Sequence, residues 1–152
     1  MPTTLYLDVC CWNRPFDDQS QTRVRLEAEA VLSILEMAEN RKVELLGSDV
    51  IDDELSQNPS TERREKVELL LEISSSHISL STAIERRAEE LQKLRLAPLD
   101  ALHLASAESA EVECFLTTDD KFLRKAGRHR SVLKVRVENP AQWLIQNTTD
   151  ES

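Results

Sequence analysis

Residues 99–120 read LDALHLASAESAEVECFLTTDD, and this stretch sets the class of the fold. Pro98 suits the first position of a helix, and Ala101-Leu102-His103-Leu104-Ala105 is apolar on nearly all sides, as an interior helix is. Cys114-Phe115-Leu116-Thr117 then reads as a strand, and a basic helix follows from about Asp120 to Ala126. A buried helix that runs into a strand is the unit of a layered α/β fold.

The same alternation continues outward in both directions. Upstream, Thr4-Leu5-Tyr6-Leu7 is a short strand ending at Asp8, and the stretch with Pro15 and Asp17-Asp18 reads as a loop. From Thr22 to about Glu39 a helix is expected, with Val24, Ala28, Val31, Leu32, Leu35 and Ala38 on its inner stripe. Val43-Glu44-Leu45-Leu46 is a second strand, and Gly47-Ser48 leads into a helix carrying Ile51, Glu54 and Leu55, which Pro59 ends. A charged amphipathic helix covers 61–73, a third strand His77-Ile78-Ser79-Leu80, and Ser81 caps a helix with Ile84, Ala88, Leu91 and Leu94 in phase. Downstream, Leu133, Val135 and Val137 alternate as a fifth strand, and Asn139-Pro140 caps a last helix containing Trp143. Strands separated by helices of this length predict a parallel sheet of about five strands covered on both faces, a three-layer α/β/α fold. Residues 1–147 are expected to form one domain, with a frayed tail over 148–152.

Composition excludes several functions. The chain has 152 residues, the commonest size for a single domain, and 40% hydrophobic with 31% charged residues fits a globular protein. Its two glycines, Gly47 and Gly127, are too few and too far apart for the clustered loops of ATPases, GTPases and dinucleotide-dependent dehydrogenases. The net charge of -9 opposes nonspecific attraction to nucleic acid or anionic lipid. The three cysteines form no CxxC pair, and reduced thiols in a cytoplasmic protein are the simplest reading. The opening MPTTLYLDVCCW has no basic leader region, and no apolar run approaches the ~18 residues of a membrane span.

Ligands of parallel α/β sheets bind beyond the carboxyl ends of strands, so acids there are the residues to weigh. Asp8 ends the first strand, Asp119 follows the fourth, Glu54 lies on the helix after the second, and Asp100 opens the interior helix. Each has an ordinary role open to it: a turn for Asp8, a first-turn carboxylate for Asp100, a helix cap for Asp119, a solvated face for Glu54. Their joint placement points further, because gathered carboxylates repel unless a cation neutralises them, and hard oxygen ligands select Mg²⁺ or Mn²⁺.

Four segments carry a family resemblance: Leu5-Tyr6-Leu7-Asp8, residues 48–55 (SDVIDDEL), residues 99–107 (LDALHLASA) and residues 115–122 (FLTTDDKF). In this order they resemble the PIN-domain family of metal-dependent nucleases, many of which are toxin halves of toxin–antitoxin pairs. The resemblance implies that Asp8, Glu54, Asp100 and Asp119 hold one or two divalent ions, with Asp53 the fallback for Glu54 and Asp120 a fifth acid. It also implies hydrolysis of RNA by an ion-activated water, a homodimer, and restraint by an antitoxin protein. The family usually carries Asn, Ser or Thr two residues after the first aspartate; Cys10 stands there instead, and Asn13 or Thr118 is expected to supply the polar group. His103 matches the family pattern and is expected to be a packed core residue.

A basic run completes the picture. Lys121, Arg124, Lys125 and Arg128 share one helical face directly after Asp119, placed to hold phosphates flanking the scissile one. Two other functions fit the fold class. A phosphoacceptor receiver domain needs paired acids directly after the first strand, and Asp17-Asp18 lie too far beyond Leu7, while Lys134 sits inside its strand. A catalytically silent protein-binding module is the other, and Cys10 is the feature that suggests it.

Overall fold

A computed structural model describes residues 2–148. Five strands, β1 (Thr3–Leu7), β2 (Val43–Ser48), β3 (Ser76–Ile78), β4 (Cys114–Leu116) and β5 (Arg136–Glu138), form one parallel sheet in the order β3-β2-β1-β4-β5. Eight α-helices of the described residues connect and cover them: α1 (Val9–Asn13), α2 (Thr22–Glu39), α3 (Asp49–Ser56), α4 (Thr61–Leu71), α5 (Thr82–Gln92), α6 (Pro98–Ser109), α7 (Asp120–Arg128) and α8 (Pro140–Thr148). The order is not the 2-1-3-4-5 winding of receiver domains, which removes that reading. The chain builds outward from β1 to β3, then returns to the other side of β1, so the direction reverses between β1 and β4.

The period of two along each strand divides the interior into two cores. Tyr6, Leu46 and Phe115 face α5, α6 and α7, together with Ile84, Leu91, Leu104 and Phe122. Leu5, Leu7, Leu45, Cys114 and Leu116 face the opposite layer, with Trp12, Val31, Ile34, Val67 and Trp143. These are the three expected layers. The interior helix is α6, whose alanines let it lie close against α5; Ala101, Leu104, Ala105 and Ala107 are all buried.

The structure departs from the sequence reading at several elements, each for a local reason. Val9–Asn13 is helical, because the Asp8 carboxylate accepts the Val9 N–H and Trp12 is buried with its indole N–H on the Leu7 carbonyl. Five residues are too few to reveal a helical period, so the punctuation of Pro15, which starts a 3₁₀ turn over Arg14–Phe16, dominated the reading. The third strand stops at Ile78, since the Leu80 N–H goes to the Asp49 carboxylate instead of a neighbouring strand. The fifth starts only at Arg136, since the Lys134 N–H goes to Glu108. Along α2 the buried stripe is Glu27, Ala28, Ala30, Val31, Ile34 and Leu35, and Leu32, expected inside, is 50% exposed. Residue 148 closes α8 and does not begin the expected tail; residues 149–152 lie outside the described part. No helix among the described residues is long and apolar enough to cross a membrane.

Glu27 turns α2 because its buried carboxylate gathers Arg14 at 2.6 Å, Arg23 at 3.1 Å and the Asn139 amide at 2.6 Å. Removing it leaves Arg14, only 20% exposed, with the Asp17 carboxylate alone, and takes the acceptor from the Asn139 amide. Glu27→Ala should therefore lose about 2–3 kcal/mol, read as a lower urea midpoint with unchanged slope. Glu29→Ala, on the exposed side of the same helix, should stay within about 0.5 kcal/mol.

Candidate active site

Strand order reverses between β1 and β4, the place where parallel α/β sheets bind ligands, and Asp8 and Asp119 follow the carboxyl ends of these two strands. Asp8 leaves β1 with its backbone N–H still bonded to the Leu116 carbonyl of β4. Its side chain is buried: Oδ1 accepts the Val9 N–H at 2.9 Å, and Oδ2 accepts the Thr117 hydroxyl at 2.8 Å. Burial pushes the Asp8 carboxyl above its ordinary range, partly opposed by His103 and Thr117 and reinforced by the charge of Glu54.

Glu54 reaches the site from α3, an eight-residue helix capped by Ser48, whose hydroxyl oxygen accepts the Ile51 N–H. Its Oε1 is 2.7 Å from His103 Nε2, and that nitrogen is 3.9 Å from Asp8 Oδ1. Ligand-capable atoms of Asp8, Glu54 and His103 all lie within 4.8 Å of one another. Asp53, the fallback, is exposed and accepts from Gln57 at 3.4 Å, so Glu54 is the acid beside Asp8.

Asp100 joins the group through its charge. It lies in the first turn of α6, and its carboxyl is pushed up to about 6 by burial and by the charges of Asp8 and Asp119, with Glu54 adding to them. Asp100 thus feels the charge of the other three acids. Asp119 caps α7, and both capping bonds, from the Lys121 and Phe122 N–H groups, fall on Oδ1. The helix-cap role open to Asp119 is thus the one the structure shows. Asp120, expected as a fifth acid, is gripped by Arg23 through bonds of 2.5 and 2.7 Å, and that guanidinium holds it below the usual carboxylate range.

Thr117 was missing from the sequence reading. Its hydroxyl donates to Asp8, its oxygen accepts the Asp119 N–H at 3.1 Å, and Cys10 Sγ lies 3.4 Å away. It supplies the polar neighbour for which Asn13 or Thr118 was nominated. Asn13 instead bonds the Val9 carbonyl and Arg63, and Thr118 enters through its backbone, its N–H on Cys10 Sγ and its carbonyl on Arg23. The signal exists in register alone: Leu7 pairs with Leu116, so the residues after them are neighbours. His103 is buried as expected, but it is also bonded to Glu54, and the Tyr6 hydroxyl lies 2.6 Å from its other nitrogen. Burial above all pushes the Tyr6 hydroxyl well above its ordinary range, so it stays a donor.

Other buried acids show how this protein treats a carboxylate that serves structure. Glu27 is held by Arg14 and Arg23, and Glu108 by Arg87 at 2.6 and 3.2 Å. Among the described residues no lysine or arginine pairs with Asp8, Glu54, Asp100 or Asp119. A hard divalent cation fits this donor set of carboxylate oxygens with a positive charge missing.

Comparison with known proteins agrees with this fold. A chain of the crystal structure of VapBC2 from Rickettsia felis bound to a DNA fragment from their promoter superposes with a TM-score of 0.63, covering 90% of this chain and 98% of that one. At 16% identity that likeness is one of fold. No curated protein sequence matches. Residues 5–128 match the PIN domain, a span that runs from β1 through α7 and contains all four acids, and the chain belongs to the PIN-domain family.

Proposed function

We propose that the chain is a Mg²⁺- or Mn²⁺-dependent endoribonuclease and the toxin of a toxin–antitoxin pair. The observation that carries this reading is the approach of Asp8 and Glu54 within 4.8 Å, with the Asp100 carboxyl raised by burial, by their charges and by that of Asp119 and, among the described residues, no lysine or arginine paired with any of the four, in a family of nucleases. Asp8, Asp100 and Asp119 would hold the first ion and Glu54 a second, with Asp120 a reserve that must first leave Arg23. A bound divalent ion lowers the pKa of a water and neutralises charge on the phosphate in the transition state.

The chain's own residues do the rest. Thr117 donates its hydroxyl to the Asp8 carboxylate and accepts the Asp119 backbone N–H, tying the two residues together. Directly beyond Asp119, α7 presents exposed Lys121, Arg124 and Arg128, with Lys125 on the same face donating to the Arg95 carbonyl at 2.7 Å. These cations would take phosphates on either side of the scissile one, which reconciles a net charge of -9 with an RNA substrate. The likeness to VapBC2 and the family resemblance together favour an antitoxin protein as partner. A homodimer and a cytoplasmic setting complete the proposal; Cys10, Cys11 and Cys114 are free thiols.

The decisive experiment incubates the protein with a mixed RNA pool and Mn²⁺, Mg²⁺ or EDTA, and sequences the cut ends. Cleavage should need the ion, and Asp8→Asn or Asp100→Asn should each lower it at least about a hundredfold with the fold intact. No cleavage with either ion would favour the silent binding module.

The proton on Asp100 adds a test with a definite sign. Its folded pKa of about 6 lies above the ordinary value, so its contribution favours the metal-free fold at low pH and is lost as pH rises through 6. At pH 7.5 Asp100→Asn should therefore raise the melting temperature of metal-free protein by about 2–4 °C. It should also abolish the rise that Mn²⁺ gives the parent, a rise that weakens from pH 7 to pH 5.

RNA binding should follow salt. Contacts to ~3 phosphates give a slope of about -2 in log affinity against log salt, and Lys121→Gln with Arg124→Gln should flatten it by roughly one unit. A slope unchanged by the pair would assign the basic face to another partner.

A further inference from the structure

A chain of hydrogen bonds runs from the core to Glu54. His103 Nε2 is 2.7 Å from Glu54 Oε1 and its Nδ1 is 2.6 Å from the Tyr6 hydroxyl. The Tyr6 hydroxyl is 2.8 Å from Ser48 Oγ, which accepts the Ile51 N–H at 3.0 Å. Tyr6, Ser48 and His103 have no exposed surface, so no water can substitute for a missing partner.

The inventory of donors gives this chain one direction. Ser48 Oγ accepts from Ile51, and its own hydrogen goes to the Tyr6 oxygen; the Tyr6 hydrogen goes to Nδ1; the ring proton then sits on Nε2 and is donated to Glu54. The opposite tautomer would set a bare Nε2 lone pair against a carboxylate oxygen at 2.7 Å. A ring protonated on both nitrogens would make Tyr6 donate to Ser48, whose own hydrogen has no acceptor among the described residues. Tyr6 cannot turn away, because its ring is stacked on Phe115 with centroids 5.1 Å apart and meets the His103 ring edge at 5.8 Å.

We propose that His103 is a positioning residue: Ser48 and Tyr6 lock its tautomer so that Nε2–H holds the Glu54 carboxylate beside Asp8, and it is not a metal ligand. Its place within 4.8 Å of two carboxylates would otherwise suggest ligation. Glu54 needs such a hold, since the charges of Asp8 and Asp100 repel it and its side chain is 31% exposed, free to swing to water. The effect on cleavage rests on the metallonuclease reading; the tautomer does not.

The test starts with long-range ¹H–¹⁵N spectra of the histidine rings in the full, metal-free protein at pH 7.5. His103 should show a protonated Nε2 and a bare Nδ1, and keep both when Mg²⁺ is added. A bare Nε2, a doubly protonated ring, or loss of the Nε2 proton on adding Mg²⁺ overturns the proposal. Tyr6→Phe should give a mixture of tautomers and about a tenfold lower kcat with little change in KM. Unchanged tautomer and kcat in that variant also overturn it. His103→Gln, which keeps an N–H for Glu54 without an imidazole, should recover several-fold of the activity lost in His103→Ala; equal loss in both counts against positioning. If the parent cuts no RNA, the nuclease reading fails while the spectra still decide the tautomer.

Discussion

The parallel pairing of β1 with β4, in the register that sets Leu7 beside Leu116, is the contact on which the site depends. β1 and β4 are more than 100 residues apart in sequence, yet their ends deliver Asp8, Thr117 and Asp119 to one place. The register also sends the Asp8 N–H to Leu116 and the Thr117 hydroxyl to Asp8, so the ladder continues one step past the strands as side-chain chemistry. A slip of one residue would turn Asp8 toward a core layer and unpair Thr117. Leu5, Leu7 and Leu116 on one face, with Tyr6 and Phe115 on the other, hold the register by burial on both sides.

That arrangement concentrates negative charge where, among the described residues, no lysine or arginine offsets it and only His103 and hydrogen bonds oppose it. Glu27 and Glu108, buried elsewhere, each draw an arginine and become struts, Glu27 for α2 and Glu108 for the approach to β5. Asp8 and Asp100 draw none, and their carboxyls hold protons more tightly than usual. The two cores supply the stability against which this repulsion is sustained. The cost of the site and its capacity for a cation are one property, since the repulsion that a divalent ion would relieve is the same repulsion that destabilises the metal-free fold.

Hydrogen bonding gives the acids their directions. Thr117 orients Asp8 from just beyond β4, the first turn of α7 orients Asp119, and His103 orients Glu54 from α6. Cys10, at the position where the family usually has a polar side chain, touches Asp8, Thr117 and the Thr118 N–H through a sulfur that bonds weakly. The Thr117 hydroxyl bonds Asp8 at 2.8 Å against 3.6 Å for the thiol, and is the stronger polar neighbour.

Patterns of local period were legible without coordinates: the strand at Leu5-Tyr6-Leu7, the interior helix at Ala101–Ala105, the basic face of α7, and the acids at the ends of these elements. These depend on the spacing of residue types, which the chain carries with it. The helix at Val9–Asn13 was too short to have a period, and the early end of β3 and late start of β5 depend on which acceptor, Asp49 or Glu108, takes an amide from far away. Which polar residue serves Asp8 was likewise undecided, because Thr117 and Thr118 are indistinguishable until β4 lies beside β1. Sequence by itself determined the α/β layering, the family resemblance and the places of Asp8, Glu54, Asp100 and Asp119 on their elements. Tertiary structure decided Glu54 over Asp53, gave Asp120 to Arg23, and joined His103 to Glu54, because each choice is a contact between elements distant in sequence.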